Sequence, residues 1–416
     1  MKKKLMKLAA LLLSAVMLLC AVSCAAPIKA NELSGGYTRN GEKEAATSED
    51  FAAVMADFSF ELLHRTLTED GDNDLISPLS ALLCLALVAN GADGETLRQI
   101  EQAIGMDIET LNESLYAYTA SLSDIDDCKM QTANSIWFRD DESLTVEEQF
   151  LQTNADWYGA QVYQAPFDDS TVKDVNNWVK NNTDGMIDSI MKEIDPLTVM
   201  YLINALVFDA KWQDEYEKND IRDRTFYNAD GSKTTVDMMY SEESTYFEGD
   251  GFTGFAKNYK GGAYSFVGLL PDEASNVYEL AASLNGEAWT DMWASRKSVS
   301  VDVGIPEFTY DADIDLKEVL ATMGMMDMFD ANAADFSRLG TSDQGNIYCS
   351  SVQQKTFIDI SRHGTKAAAV TWVTMKCGSA APEEVRYVIL DRPFIYAIVD
   401  NATGLPLFLG AVSHLG

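Results

Sequence analysis

Residues 198–212, TVMYLINALVFDAKW, form an almost unbroken apolar run. A strand written that way is buried on both faces, so other layers must cover it above and below. That segment commits the chain to a layered domain around a central sheet, and the rest of the sequence supplies the layers. Residues 51–68 carry helical spacing, and SPLSALLCLALVANG follows, with Ser77 and Pro78 at a helix start and Gly91 past its end. DGETLRQIEQAIG, DIETLNESLYAYTASL and the amphipathic residues 171–183 add further helices, and QTANSIWF reads as a strand. Thr145 and Glu148 have the spacing of a capping box for the helix after them. From 222 to 310, short strands are split by NADGS, GDG and KGG, with short helices near 275–295. DIDLKEVLATMGM is a late helix, and strands return at 346–361 and through YVILDRPFIYAIVDNATGLPLFLGAV. Helices first and mixed strands afterwards predict an α+β fold built on large sheets.

One segment does not fit a single conformation. In HGTKAAAVTWVTMKCGSAAPEE, residues 363–384, Thr365, Ala367, Ala369, Thr371, Val373 and Met375 share one strand face and none is charged. Lys366 and Lys376 fall on the other face. The alternation is that of a half-buried strand, yet it runs into CGSAAPEE, a small, breaker-rich stretch that reads as exposed loop.

The first residues read as an address. MKKKLMKLAALLLSAVMLLCAVSC has a basic start, an apolar run and small residues before Cys24. AVSC resembles a bacterial lipobox, which makes residues 1–23 a signal peptide, Cys24 the lipidation site and the protein a secreted, cell-surface lipoprotein anchored to a bacterial membrane. Residues 24–50 lack an apolar period and read as a flexible tether ahead of one domain, residues 51–416. No later stretch has the uninterrupted apolar length of a membrane span.

The formal net charge of −34 argues against nucleic acid as a partner, because phosphate contacts need clustered Lys and Arg. Cys84, Cys128, Cys349 and Cys377 show neither CxxC nor ladder spacing, so no metal site is expected. With three histidines, and without HExxH, GxSxG, a P-loop or GxGxxG, the chain carries no legible catalytic constellation, and neither enzyme activity nor a cofactor is expected. His64 reads as a surface or packing residue and His414 as part of a loose terminus.

Several blocks in order resemble the serpin family over roughly residues 51–416. NDLISPLSALLCLALVANGADGETLRQI is similar to the family's second and third helices. INALVFDAKWQDEY resembles its central-sheet strand, with Asn204 and Trp212 at the shutter and breach positions, and Ser77, Pro78 and Gln354 belong to the same regions. VDVGIPEFTYDADIDLKEVLATMGMMDMFD and VILDRPFIYAIVDNATGLPLFLGAV match the next block and the C-terminal signature. The resemblance implies one domain of three β-sheets and eight or nine α-helices with an exposed reactive-centre loop, here about residues 362–384. It also accounts for the two-natured segment: Gly364, Thr365, Lys366, Ala367, Ala368 and Ala369 look like the hinge of that loop, bait in one state and a strand of the main sheet in another.

What the resemblance implies for function is a suicide inhibitor of serine-type endopeptidases: the loop is cut, an acyl-enzyme forms, and the freed loop enters the sheet and distorts the protease. About ten new ladder hydrogen bonds at roughly 1 kcal/mol each would supply on the order of 10 kcal/mol. Small Ala367, Ala368 and Ala369 ease entry, and no proline from 365 to 381 removes a donor. The family spacing puts the reactive bond at Gly378–Ser379, with Lys376, Cys377 and Ala380 as alternatives. Small residues there suit an elastase-like or subtilisin-like target, Lys376 a trypsin-like one, and a cysteine protease is a further option. Two departures stand out. Arg362 and Lys366 replace family glutamates, which predicts altered breach contacts. Gln354 replaces a common histidine, with Asn204 as its candidate partner. A monomer is expected. The competing readings are a non-inhibitory serpin acting as a binding or carrier module and, from composition alone, a solute-binding lipoprotein.

Overall fold

The structure is a computed structural model and describes residues 26–41, 43–67, 73–122, 127–365 and 386–416. In chain order, β1 (Asn31–Glu32) precedes α1 (Phe51–Thr66), β2 (Asp74–Ile76), α2 (Pro78–Ala89), α3 (Gly94–Ile104) and α4 (Ile108–Ser121). Then come β3 (Cys128–Arg139), β4 (Leu144–Val146), α5 (Glu148–Tyr158), β5 (Gln161–Ala165) and α6 (Asp169–Asn182). A strand-rich half follows: β6 (Met200–Lys211), β7 (Ile221–Tyr227), β8 (Lys233–Gly249), β9 (Phe252–Asn258) and β10 (Tyr264–Pro271). The short helices α7 (Val277–Ser283) and α8 (Gly286–Ala294) lead to β11 (Lys297–Pro306), β12 (Phe308–Asp315) and α9 (Lys317–Thr322). The chain closes through β13 (Gly340–Ser342), β14 (Gln353–Ser361), β15 (Gly364–Thr365), β16 (Arg386–Ile389), β17 (Phe394–Asp400) and β18 (Pro406–Val412).

Three sheets and nine α-helices among the described residues match the expected fold class. The main sheet runs β1-β5-β3-β6-β15-β14-β12, a second has nine strands, and β13 with β4 makes a small third. The long apolar segment becomes β6, near the middle of the main sheet. On one face Ile203 and Ala205 pack beneath α6 against Val175, Trp178 and Val179. On the other, Phe208 joins the main core, where α2 lies below the strand. The apolar run is thus the signature of a strand enclosed between two helices.

Three local expectations are corrected. The segment read as a tether is docked on the domain from Ala26 onward. β1 pairs antiparallel with the edge strand β5, the Lys29 and Ala30 amides donate to Asp174 Oδ2 (3.0 and 2.7 Å), and Ala26 exchanges two bonds with the Asn181 amide. Backbone groups make most of these contacts, so side-chain periodicity could not announce them. The capping box does not form: Thr145 pairs in β4, and the N-cap of α5 is Glu147, without a side-chain cap bond. The C-terminus is also held. Asn73 accepts from the Ser413 and His414 amides (2.8 and 2.9 Å), and Asn228 accepts from the Leu415 amide (2.9 Å), two side-chain amides that continue the ladder beyond β18.

Candidate functional site

The hinge sits inside the main sheet. β15 lies antiparallel between β14 and β6, with Ile360 opposite Thr365 and Ser361 opposite Gly364 on one side, and Lys211 opposite Gly364 and Ala210 opposite Thr365 on the other. Gly364 takes φ +134°, and a Cβ there would stand 2.1 Å from the Ala210 carbonyl oxygen. Only glycine fits so close a passage between two backbones. Thr365 is buried, and its hydroxyl hydrogen-bonds the Tyr259 hydroxyl at 2.9 Å. Tyr259 in turn stacks on Trp212, with ring centroids 4.5 Å apart and planes 9° from parallel. Trp212, 1% exposed, donates its indole N–H to the Ser361 carbonyl (2.8 Å) and its backbone N–H to the His363 carbonyl (3.1 Å). The predicted breach residue therefore holds the turn that feeds the hinge.

Charge pairs fix the same turn. Arg362 takes Glu307 as its partner: both its backbone N–H (2.9 Å) and its Nε (3.1 Å) reach Glu307 Oε1. The departure at this position is thus accommodated by a carboxylate on the neighbouring strand connection. His363 Nδ1 contacts Glu215 Oε2 at 2.8 Å. Deeper in, Lys257 Nζ meets Glu243 Oε1 at 2.8 Å and lies over the rings of Tyr216 and Trp212, at 4.5 and 5.5 Å from their centroids. Its side chain is 2% exposed, so the ion pair is nearly dry at the lysine end.

Past Thr365, no pairing joins β6 to β14 among the described residues. The slot between them holds a cavity of about 40 Å³ lined by Ser77, Ser80, Asn204 and Gln354 on the α2 side and by Val179 and Ile187 on the α6 side. That space suits one or two water molecules, so a strand can enter only if β6 and β14 part. Ser77 caps α2, with Pro78 at the first helical position, as the sequence implied. Gln354 is buried and does not bond Asn204. Its Oε1 accepts from the Ser77 N–H (3.0 Å) and its Nε2 donates to the Ser77 carbonyl (2.9 Å), because the helix start, not the neighbouring strand, faces it. Asn204 instead donates to Asn134 Oδ1 on β3 (2.9 Å). Gln354→Leu would strand the buried Ser77 N–H, and an unfolding midpoint lowered by about 1–3 kcal/mol is expected in urea titration. The Ser77 carbonyl would keep its α2 partner, the Ala81 amide.

Lys366, Ala367, Ala368, Ala369, Lys376, Cys377, Gly378, Ser379, Ala380 and Cys24 lie outside the described residues. Sequence reasoning missed Tyr259, Glu307, Glu215, Glu243 and Lys257, which come from separate strands and connections. Only Lys257 left a signal: it shares the inward phase of Phe255 on β9, where a charge needs a partner.

Comparison with known proteins follows from this geometry. The sequence model of the family described as "Serpin (serine protease inhibitor)" matches residues 53–415. The crystal structure of the thermophilic serpin tengpin in its native state is similar, with a TM-score of 0.88 and 44% identity, covering 93% of this chain and all of that one. Human glia-derived nexin is 31% identical over 82% of this chain and 87% of its own length. Human neuroserpin is 29% identical over 87% and 91% respectively.

Proposed function

This chain belongs to the serpin family, and we propose that it traps proteases as a suicide substrate. The observation that carries this is the placement of Gly364 and Thr365, already paired on both sides within the main sheet at the mouth of a slot that continues between β6 and β14. The next residues in sequence are three alanines, and the face that would turn inward is uncharged through Met375. A strand can therefore be drawn in from its anchored end without first closing a loop.

The steps follow from that start. The protease serine attacks a carbonyl in the loop near Gly378–Ser379, the peptide bond breaks, and the loop remains bound as an ester. Freed at its far end, the loop extends β15 down the slot and gains ladder bonds on both edges, which pulls the acyl-enzyme across the sheet. Water deacylates the ester only while the triad and oxyanion hole stay ordered, so insertion must outrun hydrolysis. Persistence of the loop-out form is kinetic. Small-pocket serine proteases are the favoured targets, and lipidation at Cys24 would hold the inhibitor at a membrane surface, which mass spectrometry of the purified N-terminus tests.

Incubation with elastase, subtilisin and trypsin is expected to give an SDS-resistant adduct with at least one of them. Cleavage in the loop is expected to raise the melting temperature by on the order of 20 °C, given about 10 kcal/mol of new pairing and about 2 °C per kcal/mol for a large domain. Clean cleavage without adduct by every serine and cysteine protease tried would replace this reading with the non-inhibitory one.

A further inference from the structure

The slot contains one polar atom with no partner. Asn204 Oδ1 is buried and accepts no hydrogen bond. Its orientation is dictated by a chain of side chains behind it. Asn134 must turn its amide nitrogen to the Tyr158 carbonyl (3.0 Å), which can only accept, and this leaves Asn134 Oδ1 facing Asn204. Asn204 answers with Nδ2 at 2.9 Å, and its own oxygen is left over. Tyr158 is itself anchored, its hydroxyl donating to Asn112 on α4, so the chain does not rotate cheaply. Across the slot both polar atoms of Gln354 are engaged by Ser77. The cavity wall thus presents an unmet acceptor of fixed polarity at the level of Asn204.

The register of β15 shows what would arrive there. It pairs Thr365 with Ala210 and with Ile360, antiparallel on both sides. Carried down the slot, both registers bring Thr371 opposite Asn204 and Gln354 together. Cross-strand neighbours share a face, and Asn204 and Gln354 both face the α2 side, so the Thr371 side chain would do so too. Thr371 lies outside the described residues; in sequence it carries a hydroxyl between the aliphatic Val370 and the large Trp372.

We infer that Asn204 is a receptor for a hydrogen-bond donor on the inserted strand, and that the Thr371 hydroxyl is that donor, donating to Asn204 Oδ1 once the loop has entered. The inference rests on the proposed insertion but not on protease trapping. It makes residue 371 a determinant of how fast and how fully insertion passes its midpoint, since an apolar residue of the same shape would bury the Asn204 oxygen permanently unmet.

The test compares the wild-type protein with Thr371→Val, which keeps the shape and removes the donor, and Thr371→Ser, which keeps the donor. In a crystal structure of the loop-cleaved wild type, Thr371 Oγ1 is expected within about 2.6–3.0 Å of Asn204 Oδ1. The valine variant is expected to lose about fivefold to tenfold in the ratio of trapped adduct to cleaved inhibitor, and its cleaved form to melt about 2 °C lower, with serine restoring both. A cleaved structure with Thr371 directed elsewhere, or a valine variant equal to wild type, overturns the inference while leaving inhibition intact. Insertion with the Thr371–Asn204 bond present but no adduct formed would sink the inhibitory reading and leave this one standing. A cleaved loop that never enters the sheet would end both.

Discussion

Gly364→Ala is expected to turn the inhibitor into a substrate. The added Cβ would lie 2.1 Å from the Ala210 oxygen, 2.6 Å from Lys211 Cα and 2.9 Å from Trp212 N. All three are backbone atoms of β6 or its continuation, so no side chain can rotate away to make room. The residue would also be forced to keep φ +134°, which costs an L-residue about 1–3 kcal/mol even without a clash. The economical response is for β15 to leave the sheet, giving up its pairing on both sides and the Thr365–Tyr259 bond. Insertion would then have to begin from an unanchored end while the acyl-enzyme hydrolyses. A delay worth about 1.4–3 kcal/mol in barrier lowers the insertion rate by about 10–100-fold. Gel densitometry of adduct against cleaved product, with near-UV circular dichroism to establish that the fold is intact, reads this directly. An unchanged adduct fraction would refute it.

Glu243→Gln should destabilise the native form by about 3–5 kcal/mol, the range for stranding one partner of a buried ion pair. Lys257 is 2% exposed at its side chain and Glu243 15%, so loss of the carboxylate leaves an ammonium with little access to water. Tyr216 and Trp212 would still lie against it, but their ring faces replace only part of a full negative charge. Removing both charges in Lys257→Met with Glu243→Gln should cost less than Glu243→Gln alone, because the desolvated cation is then gone. The pH dependence carries a definite sign. Burial pulls the Lys257 ammonium toward lower pKa, but Tyr216 and Glu243 more than restore it, and its pKa ends above the ordinary 10.5. A cation whose pKa is raised on folding gives its full stabilisation below the unfolded value and loses it only as pH climbs through the folded one. Lysine 257 therefore imposes no loss between pH 5 and 9, and its contribution fades only in strong alkali. Urea midpoints of the three variants at neutral pH and above pH 11 check both the order and the sign.

Much of this was readable before any coordinates. The β6 run, Ser77 and Pro78 at the head of α2, and the uncharged alternation after Gly364 each follow from local rules: burial demands apolar faces, a helix start demands a cap, and an inserting strand excludes inward charge. Elsewhere local rules misled. Thr145 and Glu148 had the right spacing for a capping box, yet Thr145 was already engaged with β13 in the small sheet. Residues 26–41 had no apolar period and docked through their backbone on β5 and α6.

By itself the sequence determined the layered fold, the family and the position of the hinge, because those depend on periodicity and on residue types that sterics impose one segment at a time. Tertiary structure alone decided the partners: Glu307 for Arg362, Ser77 rather than Asn204 for Gln354, and a lone acceptor on Asn204. Such pairings join residues far apart in the chain, and a hydrogen bond is settled within a few tenths of an ångström, a distance that no local pattern encodes.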